Sequence, residues 1–167
     1  MKYLKYFLLV LVALAIGAPK CNADRQLWKA KNKTGRALVA VDAAWDKFYK
    51  AEAERIADEI IEAHEGDPAW SLNIAEQDFE LALAPLEEHN KRFERAVSAT
   101  ASALEAFEQI LNAKDKIDKG QAYRTMRDIV DALVDIQDCL LAAGVKVPNK
   151  LTGALTFIDN LLPPDPD

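Results

Sequence analysis

A chain of 167 residues with 50% apolar and 29% charged side chains can build one globular core and lies far from the composition of disordered proteins. Only 6 Gly and 7 Pro are present, too few for the turns of a many-stranded fold, while abundant Ala, Leu, Glu, Asp and Lys favour helix. The formal net charge of −6 disfavours nucleic-acid binding by the domain as a whole, because an acidic surface repels phosphate backbones.

The first 23 residues differ from the rest. Lys2 and Lys5 precede an apolar run from Tyr6 to Ala18, which is too short to span a bilayer comfortably and matches the core of a signal peptide. Small residues at Cys21 and Ala23 place the expected cleavage after Ala23. Removal takes away Lys2, Lys5 and Lys20 but no acid, shifting the formal net charge from −6 to about −9. An uncleaved membrane anchor is the alternative, because Lys20, Arg25, Lys29, Lys31, Lys33 and Arg36 follow the apolar run on the side to be translocated. The expected location is extracytoplasmic, periplasmic or secreted.

Residues 24–34 read as a basic, solvated leader, with docking to a membrane surface, through residues 1–36, or to an acidic partner as the sharper reading and Trp28 as the contact residue in either case. An Asn32-Lys33-Thr34 triplet fits the glycosylation acceptor pattern.

A helical bundle is expected over residues 35–162. The first long segment, from Gly35 to Glu65, carries Leu38, Val41, Trp45, Phe48, Ile56, Ile60 and Ala63 on one helical stripe, with Thr34 as its expected cap. Asp46 and Lys50 form an outer pair four residues apart. Gly66-Asp67-Pro68 ends this segment and opens the next. The second segment, from Pro68 to Lys114, aligns Phe79, Leu83, Leu86, Phe93, Val97, Ala101, Leu104, Phe107 and Leu111 on both sides of Pro85. That register predicts a long helix kinked near Pro85, or a break there.

After a polar connection at residues 115–120, the third segment presents Tyr123, Met126, Ile129, Val130, Leu133, Ile136, Leu140 and Leu141, with Gly144 as terminator and Val145 as the contact beyond it. Val147-Pro148-Asn149 opens a short last helix bearing Leu151, Leu155, Ile158 and Leu162, and the proline-rich residues 163–167 are expected to be a disordered tail. The fold class is therefore all-α: an antiparallel bundle of three main helices plus a short C-terminal one.

No residue pattern points to catalysis, a cofactor or a metal site. His64 and His89 lack a Glu three residues before them, since Ile61 and Leu86 stand there. No serine sits in a glycine-flanked elbow, and Cys139 reads as a buried, inert thiol. The run from Ala96 to Ala103 is rich in small side chains and predicts the tightest helix crossing, with Ser98, Ala99 and Ser102 as partner contacts if a foreign helix docks there. The expected function is that of a non-catalytic, exported bundle acting through protein contacts as a structural, adaptor or self-associating element. A membrane-tethered envelope or phage-lysis accessory of the spanin kind is the alternative, and a small-ligand carrier the third.

Overall fold

The computed structural model describes residues 22–67, 72–113 and 117–163, with side chains for residues 24–67, 74–113 and 117–163. Residues 1–21 of the expected signal segment and the last four residues of the expected tail lie outside them, while Asn22 and Ala23, at the expected cleavage point, open the first helix. Among the described residues the fold is all-α, with helices α1 (Asn22–Ala63), α2 (Leu72–Leu111), α3 (Lys119–Ala142) and α4 (Asn149–Asp159) and no strand. At 42 and 40 residues, α1 and α2 are each about 60 Å long, against about 36 Å for the 24-residue α3.

The basic stretch expected to be a solvated leader is instead the opening of α1. Leu27, Ala30, Lys31, Thr34, Ala37, Leu38 and Val41 recur at steps of three or four and are all buried, so the inward stripe starts well before Gly35. Arg25, Lys29, Lys33 and Arg36 fall on the exposed side of the same turns. Thr34 is no cap: its hydroxyl is buried within the helix and donates to the Ala30 carbonyl at 3.0 Å. The helix ends before Gly66, whose φ of 84° suits glycine, and the Asp67 amide there donates to the His64 carbonyl at 3.1 Å.

Helix α2 runs without a break through Pro85. Its inward stripe of Leu86, Phe93, Ala96, Thr100, Leu104, Phe107 and Leu111 keeps one register, and Pro85 lies on the exposed side, where water can meet the carbonyl that lost its helical donor. Helix α3 begins at Asp118, whose carboxylate accepts from the Gln121 amide at 3.0 Å. It ends in a Schellman motif: the Val145 amide donates to the Leu140 carbonyl at 2.8 Å and the Gly144 amide to Leu141 at 3.0 Å, with Gly144 at a φ of 71°. Val145 packs against the core as the sequence predicts. Helix α4 buries Leu151, Ala154 and Ile158, with Leu155 half-buried.

Helices α1 and α2 pair antiparallel. Lys31 meets Glu108, Trp45 meets Asn90 and His64 meets Asp78, so positions rise along one helix as they fall along the other. Helix α3 packs mainly on α2, and α4 on α1. The core lies where all four meet, around Trp45, Phe93, Phe107, Met126, Leu133 and Ile158. Burial then thins along the long pair. Beyond Trp45 the only described apolar side chain of α1 that is buried is Ile56, and before Phe93 on α2 it is Leu86. Past the level of Ala143, which shares a cleft with Ile56 and Leu86, α1 and α2 continue as a two-helix arm on which Ile61, Ile74 and Leu81 are exposed.

Candidate functional site

An open groove of about 620 Å³ runs between α1 and α2. Trp45 and Phe93 lie at its base with rings stacked 4.5 Å apart at 12°, and Phe48 meets the indole at 5.4 Å. The indole N–H donates to Asn90 Oδ1 at 2.8 Å, and the Asn90 amide in turn donates to Glu94 at 2.9 Å, which fixes the aromatic floor from the α2 side. Leu38, Val39, Val97 and Ala101 continue the apolar lining. Ala43 and Ser98 are also in the lining, and such short side chains keep the walls low.

The rim is acidic. Asp42, Asp46 and Glu94 line it against the single ammonium of Lys50, which is itself paired with Asp46 at 2.7 Å, as their spacing predicts. Burial, and then the neighbouring Asp46 charge, hold the Asp42 carboxyl above the usual aspartate range. Tyr49 is likewise pushed up, first by burial, then by the charge and hydrogen bond of Glu87 and by Glu94. The combination offers an apolar trough edged with negative charge.

Of the residues singled out in the sequence, Ser98 lies in the groove wall, whereas Ala99 and Ser102 are exposed and outside its lining. The small-residue run is thus split by helical periodicity. Ala96 and Thr100 turn inward, with the Thr100 hydroxyl donating to the Ala96 carbonyl at 2.9 Å, while Ser98, Ala99 and Ser102 face out. Trp28 is half-buried against the core, and the Lys31 ammonium stands 4.9 Å from its ring centroid. Sequence reasoning missed Asp42, Tyr49, Asn90 and Glu94. Their one signal was a cluster of acids on the helix face next to the Trp45 stripe.

A second cleft of about 400 Å³ lies further along the pair, between Phe48, Ile56, Pro85, Leu86 and His89. Arg55 at its edge is held by Glu52 and Glu59, and its hydrogen bond lowers the Glu52 carboxyl. His64 lies 3.6 Å from Asp78 just past the end of α1. Cys139 is half-buried rather than buried; burial first, then Asp135 and Asp138, push its thiol up against the opposing pull of Arg92, which leaves it protonated and weakly nucleophilic. Among the described residues no group of three or more His, Cys, Asp or Glu side chains could hold a metal ion, and no helix is long and apolar enough to cross a membrane.

The class defined by these observations is an all-α protein of long paired helices with an apolar interhelical groove. Comparison of the chain with protein-family models, curated proteins and solved structures found no match.

Proposed function

We propose that this is an exported, non-catalytic helical-bundle protein that works through contact with another protein, and that the α1–α2 groove is the contact surface. The groove itself carries the reading. A trough of about 620 Å³ with Trp45 and Phe93 buried beneath it, no residue of α3 or α4 in its lining, and Val39, Ala43, Val97 and Ala101 left partly open along it offers apolar surface that a partner covers favourably. Export rests on the basic and apolar pattern of residues 1–23, and the bundle on the pairing of α1 with α2 and α4 and of α2 with α3.

The tethered reading, a membrane-anchored accessory in the envelope or in phage lysis, has one observation in its favour. Helices about 60 Å long reach far from an attachment point at the start of α1. Intact mass and cell fractionation separate the two: loss of residues 1–23 supports release, and a retained Met1 in the membrane fraction supports tethering.

The contact reading is tested by placing a photo-cross-linking amino acid at Ser98, in the groove wall, and at exposed Glu105, outside it, in the cell that makes the protein. Discrete protein adducts at Ser98 that are absent at Glu105 are expected. Adducts at neither position, or equally at both, overturn the groove as the contact surface.

A further inference from the structure

Resting on that contact reading, we infer that the occupant of the α1–α2 groove is an amphipathic α-helix of about three turns, with Lys or Arg flanking its apolar face. Length is the first argument. The lining extends from Leu38 to Lys50 on α1 and from Asn90 to Ala101 on α2, so both walls run for about 18 Å at 1.5 Å per residue. A trough of that length between two antiparallel helices matches a third helix laid between them, because ridges of side chains seat into the seam that two helices leave. Ala43, Ser98 and Ala101 permit the close approach that such packing requires.

Charge selects the kind of helix. Three carboxylates, Asp42, Asp46 and Glu94, meet one ammonium, Lys50, along the lining. Asp42 is strained by the absence of compensation, since burial and Asp46 both oppose its ionisation. A cation brought beside it relieves that opposition, whereas an anionic lipid surface or an acidic helix adds to it. A second copy of this chain is the poorer occupant. Its free basic face, Arg25, Lys29 and Arg36 on the outer side of α1, carries charge but no apolar stripe to fill the trough, because the apolar stripe of those turns is already buried.

Selection from a displayed library of 18-residue helices on the full-length protein, produced in an exporting host, tests the inference. Enrichment of sequences with apolar residues three and four apart flanked by Lys or Arg is expected. Their affinity should fall at least tenfold on Ser98→Trp, which fills the trough from an exposed position, and severalfold on Asp42→Asn combined with Glu94→Gln or at raised salt. Ala43→Arg, also at an exposed position, serves as a second blocking variant if Ser98→Trp lowers the melting temperature. Failure to enrich any helix, enrichment of acidic or non-amphipathic ones, or binding indifferent to both blocking variants overturns the inference. So does a dimer in sedimentation that Ser98→Trp dissociates, which puts a second copy in the groove. If Ser98 still yields protein adducts in the cell while no helix is enriched, the contact reading survives and the helical occupant does not.

Discussion

The Lys31 ammonium on α1 lies 2.6 Å from the Glu108 carboxylate on α2, with the lysine side chain 2% exposed and the glutamate 22%. The pair sits inside the part of the bundle that all four helices build, and it explains why a lysine can occupy the inward stripe of α1 beside Leu27 and Leu38. The two halves of the pair should respond differently to substitution. Lys31→Met keeps the packing of the stem and removes the buried charge, so stability should stay within about 1.5 kcal/mol of the parent. Glu108→Ala takes away the carboxylate nearest a buried ammonium. Removing one partner of a fully buried pair costs roughly 3 to 5 kcal/mol, and partial exposure of this one brings the expectation to about 2 to 3 kcal/mol. Urea unfolding of both variants measures the asymmetry; equal losses would show that the contact contributes by packing alone.

Stability should also be uneven along the long helices. The α1–α2 arm beyond Ile56 and Leu86 buries little and exposes Ile61, Ile74 and Leu81, so local opening there exposes little more apolar surface. Native-state hydrogen exchange should show amides of residues 57–63 and 74–82 exchanging at least a hundredfold faster than those around Val41, Thr100 and Leu133. Uniform protection along α1 would contradict the division into base and arm.

Pro85 interrupts no packing and sits on the exposed side of a continuous helix. A proline inside a helix costs about 3 kcal/mol relative to alanine through its missing donor and crowded turn. Pro85→Ala should therefore raise stability by roughly 1 to 3 kcal/mol, the lower end applying if α2 must bend to follow α1. Thermal unfolding measures it. A fall in melting temperature would mean that the bend at Pro85 is needed for the arm to close.

Much of this fold is legible because apolar periodicity and glycine chemistry are local. Trp45, Phe93, Phe107 and Ile158 lie on stripes that any helical projection reveals, and Gly66 and Gly144 mark helix ends through a positive φ that other residues resist. Residues whose place depends on a distant partner are harder to read. Lys31 looks like surface by type, and its burial is made tolerable by partners such as Glu108 on another helix. Thr34 looks like a cap by residue type, and only the structure shows its hydroxyl bonded to the Ala30 carbonyl inside a helix that has already begun. Leu141 fits the α3 stripe yet is 56% exposed, since it falls in the last turn, away from the face that meets α2. The groove needs both helices and their antiparallel register: Asp42 and Glu94 become neighbours of one trough only when Trp45 stacks on Phe93.

Asp42 should give the groove a pH signature. Its carboxyl titrates above the ordinary aspartate range in the folded protein, by burial and by the Asp46 charge, so between the unfolded and folded values the native state binds more protons than the unfolded chain. Stability then falls as pH rises through that window, and the penalty of an ionised Asp42 is fully present above it. Asp42→Asn removes the penalty without changing the shape of the side chain. The variant should match or exceed the parent in melting temperature at pH 7, and the gap should close as the solution is acidified below the ordinary aspartate range, where Asp42 is protonated in both the folded and the unfolded chain. Melting curves of the two proteins across this range decide the matter. A variant less stable than the parent at pH 7 would mean that the Asp42 charge is already compensated, and the groove would lose its strongest claim on a cationic partner.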